Sequence, residues 1–343
     1  MANLLGNLIN PEHLQEPINI SGIDSNFLIH DLKLMYTIRR AEEIIGDNIV
    51  NGTIKCPCHL GIGQEATAVG LSRYLRSSDR VFGGHRSHTH YLGLGGSVYK
   101  LFAETLGRLD GCSKGFGGSM HLYDPSIGFG GSVPIVGASV PIATGAALAA
   151  KKDNVGDIAI SYLGDSACEE GAVQESFNLA SLMKLPVIFV VENNLFASHM
   201  HIDLRQPHNS TARFAEAHGI PFKVIDGNNL TDIYQVSKDA VKHCRENKGP
   251  YFIESLTYRW RGHVGPREDT DVGVKRKDDL NKWKKRDPIS RLKNALINKN
   301  IFSAKDFNDI TKSIDKELDN KWNKALKAPF PSKNLLKEIV YKQ

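Results

Sequence analysis

Apolar and polar positions are most regularly ordered between Ile158 and Ala197. An apolar run from Ile158 to Leu163 stops at Gly164-Asp165, and Val173, Phe177, Ala180 and Leu182/Met183 then recur at helix-face spacing. A second run, Pro186 to Val191, breaks at Glu192-Asn193-Asn194. This is the pattern of a βαβ unit. Its strands run parallel, so their carboxyl ends share one sheet edge, where Asp165 and Asn194 converge.

Other segments extend the α/β reading. Apolar positions from Phe27 to Ile49 predict a helix that starts at Ser25 and ends before Asn51-Gly52. Gly137 to Ala150 reads as a small-residue helix suited to close subunit packing. Phe222 to Ile225 and Pro250 to Tyr258 predict strands, with a helix from Leu230 to Asn247 between them. The second of these strands delivers Arg259 and His263 to the same edge as Asp165. Residues 1–25 read as an extended arm, residues 26–275 as the α/β domain, and residues 276–343 as a basic helical region. Asp203 to Thr211 reads as a polar loop, and Val264 to Lys277 as a mobile charged one.

Composition narrows the class. No apolar run reaches about 18 residues, so no membrane span is predicted. The amino terminus has neither a basic region followed by an apolar stretch nor an Arg-rich presequence, which predicts a cytoplasmic protein. The five cysteines are odd in number and lack a CxxC pair, so they read as reduced thiols. The net charge of +5 hides an asymmetry: from Lys275 onward there are 19 Lys/Arg against 9 Asp/Glu. These basic residues alternate with Leu292, Leu296, Phe307, Ile310, Ile314 and Leu318 at helical spacing, which predicts solvated helix faces rather than a nucleic-acid site.

The edge carries the chemistry. A carboxylate and an amide oxygen suit a hard cation such as Mg²⁺ that keeps positions open for diphosphate oxygens. Gly164, Ser166 and Ala167 would let backbone N–H groups meet that diphosphate at a helix start. In His85-Arg86-Ser87-His88-Thr89-His90, read as extended chain, Arg86 suits an anion clamp better than the histidines suit a metal, because no acidic or cysteine partner lies near in sequence. Nine glycines between Gly111 and Gly145 point to a chain running close to a ligand or another backbone. Gly61-Ile62-Gly63-Gln64-Glu65-Ala66 matches a dinucleotide fingerprint and leaves a nicotinamide oxidoreductase as an alternative. The preceding Gly52 to Pro57 makes a poor strand for it.

In family order, the segments HLGIGQEA, HRSH, GRLDGCSKGFGGSMH, IVGASVPIATGAALA, GDS to ENN, and YRWRGH resemble the alpha subunit of thiamine diphosphate-dependent E1 components of 2-oxo acid dehydrogenase complexes. Relatives act on pyruvate, branched-chain 2-oxo acids or acetoin. The resemblance covers roughly residues 25 to 325. It implies a thiamine diphosphate-binding fold, with a parallel sheet flanked by helices and a C-terminal helical extension. It also implies Asp165, Asn194 and the carbonyl of Phe196 as Mg²⁺ ligands, and the backbone of Ser166 and Ala167 as the diphosphate loop. His85, Arg86, Arg259 and His263 would line the diphosphate and the mouth, with Pro134 and Val136 at the aminopyrimidine. His59, His88 and His263 are the implied catalytic histidines. A glutamate needed against the pyrimidine would come from an E1 beta subunit, in a heterotetramer of two alpha and two beta subunits that feeds a lipoyl acyltransferase E2. Four departures stand out: Ser166 and Pro134 each replace a glycine, His85 stands where many relatives have tyrosine, and Val264 follows His263 where animal pyruvate enzymes have a phosphorylatable serine, so kinase control at that position is not expected. Ser166 and Pro134 keep open a catalytically silent scaffold. A non-oxidative decarboxylase or ligase without E2 is a further alternative.

Overall fold

A computed structural model of the chain describes residues 5–270 and 276–340. Six strands form one parallel sheet: β1 (Arg80–Gly83), β2 (Phe129–Ser132), β3 (Ala159–Gly164), β4 (Val187–Asn193), β7 (Phe222–Asp226) and β8 (Tyr251–Leu256), in the order β2-β1-β3-β4-β8-β7. Between β4 and β7 lies a two-stranded antiparallel ribbon of β5 (Phe196–Ala197) and β6 (Met200–His201).

Strand alternation explains why helices cover both faces. Ile160, Tyr162, Ile188, Val190 and Ile253 point into one apolar cluster, whereas Ala159, Leu163, Val187, Phe189, Val191 and Phe252 point into the other. The first face is covered by α1 (Ser25–Val50) and α2 (Glu65–Ser72), together with two short helices, α3 (His88–Gly93) and α4 (Val98–Thr105). The second face takes α5 (Ser139–Asp153), α6 (Gly171–Leu182) and α7 (Ala212–Ala217). On the first face again, α8 (Leu230–Arg245) packs Leu230 and Ile233 against Gly70 of α2. Then follow α9 (Lys277–Lys284), α10 (Pro288–Asn298), α11 (Ala304–Lys327) and α12 (Leu335–Val340).

The apolar stripes of the basic C-terminal region are buried: Leu292, Leu296, Leu318 and Trp322 join the same cluster as Leu32, Met35 and Ile38 of α1. α1 begins at Asp24, whose carboxylate accepts from Asn26 N at 2.8 Å, and α11 begins with a capping box between Ser303 and Asp306. Ile18 and Ile20 of the amino-terminal arm are buried as well, and a short 3-10 turn spans Gly6–Ile9.

The structure departs from the sequence reading in four places. The segment from His88 is helical rather than extended, because Ser87 O accepts from Tyr91 N and starts the turn. The histidines there do have acidic partners, supplied by tertiary contact: Glu42 on α1 meets His88, and Glu192 at the end of β4 meets His90. A strand, β2, sits inside the glycine-rich stretch, held by main-chain pairing to β1 at the sheet edge. In the segment read as a mobile loop, residues 271–275 lie outside the described residues. Its Asp269 is buried and accepts from His263 N at 2.7 Å. Among the described residues, no helix is long and apolar enough to cross a membrane.

Candidate functional site

The strand order fixes where a ligand can enter. From β1 the chain moves outward to β2, and from β3 it moves the other way to β4, so the carboxyl ends of β1 and β3 flank a topological switch point. A cavity of about 550 Å³ opens there. It is lined by His59, His85, Arg86, Pro134, Val136, Asp165, Ser166, Asn194, Phe196, Arg259 and His263, every one of which the sequence had singled out. Ala167 and His88 do not line it.

Asp165 and Asn194 arrive as the βαβ geometry dictates. Gly164 pairs with Glu192 in the β3–β4 register, which sets the two loops side by side. After Asn193 the chain turns sharply, with Leu195 and Ser198 in the left-handed region at φ +71° and +50°. Asn193 Oδ1 accepts from Leu195 N at 3.1 Å, and Asn194 Oδ1 accepts from Phe196 N at 3.3 Å, which holds that turn. The Asn194 amide nitrogen donates to Gln64 Oε1 at 3.1 Å, which fixes the orientation of the amide. The Asp165 carboxylate, fully buried, is paired with the guanidinium of Arg205, which also reaches Glu169. A Cβ built on Gly164 meets nothing within 4 Å, so a ligand has free access to that backbone.

The opposite wall is cationic and imidazole-rich. The rings of His59 and His85 lie 4.6 Å apart, and that of His263 lies 4.9 Å and 5.4 Å from them. Burial, then the charge of Arg86, lowers their pKa values to about 3 for His59, 2 for His85 and 4 for His263. All three are therefore neutral near pH 7. Their nitrogens lie within 4.8 Å of one another, close enough for a metal, but the guanidinium of Arg259 stands 3.4 Å from His263 Nδ1 and opposes a cation. Burial, then the neighbouring Arg86 and Arg276, lowers Arg259 to about 8, and burial lowers Arg86 to about 10. Two guanidiniums this poorly compensated are prepared for an anion.

His88 has a different place. Its ring is buried, with Nδ1 3.2 Å from Glu42 Oε1 and Nε2 bonded to Ser119 Oγ at 2.9 Å. Glu42 Oε1 also accepts from Gly61 N at 2.8 Å, so His88 braces the loop that carries His59 rather than touching the cleft. The Gly61 to Ala66 segment follows no strand among the described residues; it enters α2 directly, and Gly63 packs against Trp260. That is not a dinucleotide-binding turn. Sequence reading missed Gln64, His90, Glu169, Glu192 and Arg205, all at the cleft except Arg205, which pairs with Asp165 from just behind. Only the convergence of distant segments reveals them.

A doubly wound parallel sheet whose switch-point cleft joins a carboxylate and amide to two guanidiniums defines an α/β protein built to bind a phosphate-bearing cofactor. The profile of the dehydrogenase E1 component family matches residues 33–334. Among curated relatives, pyruvate dehydrogenase E1 component subunit alpha of Rhizobium meliloti is 39% identical over 285 residues, 83% of this chain and 80% of that one. The same-named subunit of Rickettsia bellii is 33% identical over 313 residues, covering 91% and 95% of the two chains. The somatic mitochondrial form from Bos taurus is 34% identical over 314 residues, covering 90% and 77%. The chain belongs to the dehydrogenase E1 component family.

Proposed function

We propose that the chain is the alpha subunit of an E1 enzyme that decarboxylates a 2-oxo acid of the pyruvate type and passes the acyl group to a lipoyl acyltransferase. Membership in the E1 family and the names of its relatives support thiamine diphosphate as cofactor. The observation that carries the reading is the convergence of Asp165, Asn194, Phe196, Arg86, Arg259 and the three neutral histidines on one switch-point cavity. The donor set fits a hard cation: carboxylate and amide oxygens at adjacent strand ends, with the carbonyl of Phe196 on the turn between them. Asp165, Asn194 and Phe196 would hold Mg²⁺, and Arg205 must yield the Asp165 carboxylate to it. Ser166 and Ala167 sit in the first turn of a 3-10 helix spanning Asp165–Glu169, where N–H groups lack intrahelical partners, which suits a diphosphate.

When bound, thiamine diphosphate supplies the carbon nucleophile and electron sink that decarboxylation needs. The chain's own residues do the rest. Arg86 and Arg259 balance diphosphate charge. His59, His85 and His263, neutral at pH 7, can donate a ring N–H to a substrate carboxylate or carbonyl oxygen. His85 supplies an imidazole where many relatives carry tyrosine, which keeps a hydrogen-bonding group there. Ile135, Val136 and Ile142 are exposed apolar side chains beside the cleft and on α5, and they suit cover by a beta subunit that brings the missing glutamate. The setting we propose is cytoplasmic, in keeping with five free cysteines.

The test is reconstitution. The chain mixed with an E1 beta subunit, thiamine diphosphate and Mg²⁺ should release CO₂ from pyruvate and reduce an artificial electron acceptor. Neither subunit should do so alone. Turnover of no 2-oxo acid by the reconstituted pair would reject the proposal, and CO₂ release without acyl transfer to a lipoyl domain would favour the non-oxidative alternative.

A further inference from the structure

A second cavity, of about 480 Å³, lies away from the cleft and is lined in part by Lys55, Cys56, Glu104, Arg108, Ser119 and Phe330. One of the five cysteines, Cys56, stands in its wall, with Cys58 close behind it. Cys56 Sγ stands 3.8 Å from Cys58 Sγ across Pro57, with Cys56 half-buried at the cavity and Cys58 buried behind it. Proline fixes its own φ and restricts the residue before it, so the two thiols are held facing each other by the backbone. Cys56 Sγ also lies 3.5 Å from Thr105 O, and Cys58 Sγ lies 3.4 Å from Cys56 O. Gly118, at φ +58°, runs against this pair; a Cβ there would sit 3.3 Å from Cys56 Cβ and 3.5 Å from its Sγ. Through its hydrogen bond the Cys58 thiol favours the Cys56 thiolate and lowers its pKa, while that same bond and burial push Cys58 up. The nucleophile is thus the sulfur that small molecules can reach.

We propose that Cys56 and Cys58 form a peroxide-oxidisable thiol pair, with Cys56 as the attacking sulfur and Cys58 as the resolving one. The Cys56 thiolate attacks a peroxide oxygen, an S–O bond forms as the O–O bond breaks, and hydroxide leaves to be protonated to water. The Cys58 sulfur then attacks the sulfenic sulfur. The S–S bond forms, the S–O bond breaks, and the departing hydroxide takes the Cys58 proton as a second water. The pair is oxidised by two electrons and the peroxide is reduced by two.

Bridging must shorten the 3.8 Å separation to the about 2.05 Å of a disulfide. Cys58 is joined to His59, so the bridge pulls on the cleft histidine. This consequence rests on the function proposed above, whereas formation of the bridge does not.

The experiment treats the whole chain with hydrogen peroxide, blocks free thiols and reads the masses. The wild type is expected to lose about 2 Da, two hydrogens, with the 56–58 peptide resistant to alkylation until reduced. Cys58→Ser should stop at a dimedone-reactive sulfenic acid on Cys56, and Cys56→Ser should leave the remaining thiol at position 58 unoxidised. Equal alkylation of both cysteines before and after peroxide, or first oxidation at Cys112, would overturn the assignment. With a beta subunit present, peroxide should abolish 2-oxo acid turnover reversibly in the wild type and not in Cys56→Ser. A bridged chain that keeps full turnover would overturn the link to His59 alone.

Discussion

Acidification should destabilise this chain through the three cleft histidines. Folded, they titrate at about 3 (His59), 2 (His85) and 4 (His263), with burial as the first cause. Unfolded, each titrates near 6.5. The folded values are the lower ones, so between about pH 6.5 and 4 the unfolded chain binds more protons, and stability falls as pH falls. Each such proton is worth about 1.4 kcal/mol per pH unit, which makes about 4 kcal/mol per unit for three. His85 and His263 are half-buried, and screening by solvent reduces their share, leaving about 2–4 kcal/mol lost between pH 6.5 and 5. Urea unfolding followed by tryptophan fluorescence at pH 7, 6 and 5 reads this loss. A His85→Asn, His263→Asn double variant removes two of the three protons and should flatten the pH dependence accordingly. Identical pH dependence in wild type and variant would refute the neutral-histidine assignment on which the proposed hydrogen bonding depends.

Three further outcomes follow from the same geometry. Gly63→Ala places a Cβ 2.4 Å from Trp260 Cδ1 and 2.7 Å from Tyr258 O at φ +97°, and should cost about 2–4 kcal/mol, read as a lowered urea midpoint; an unchanged midpoint would contradict the packing. Glu65→Gln breaks a buried ion pair with Arg39, which keeps only Asp287 at 2.9 Å, and should cost about 3 kcal/mol on the same assay, with no loss contradicting the pairing. Arg259→Met should weaken the binding of inorganic diphosphate about tenfold or more, because it removes one of the two guanidiniums that line the cleft. Calorimetric titration reads that loss, and an unchanged affinity would remove Arg259 from the anion site.

Much of this arrangement was legible because it is local. The βαβ unit from Ile158 to Asn194 announces itself through apolar runs of strand length that end in polar residues, and parallel pairing then forces Asp165 and Asn194 together. The long helix α1 was equally legible from its apolar periodicity from Phe27 to Ile49. β2 was not, because Phe129-Gly130-Gly131-Ser132 has no apolar pattern and owes its place to main-chain pairing with β1. Nor could the sequence pair His90 with Glu192 or Asp165 with Arg205, since each contact joins residues far apart in the chain whose meeting leaves no periodic signal. His88 shows the converse error: its neighbours in sequence suggested the cleft, but the α3 turn directs it to Glu42 and Ser119 behind the His59 loop. Side-chain direction follows secondary structure, and a six-residue helix is too short to betray itself.

The measurement that bears most directly on the central claim is calorimetric titration of thiamine diphosphate with Mg²⁺ into this chain, alone and together with an E1 beta subunit. Tight binding is expected only with the beta subunit present, and is lost in Asp165→Ala and in Asn194→Ala. No binding under either condition, or binding that both variants retain, would contradict a cofactor site built on the carboxyl ends of β3 and β4.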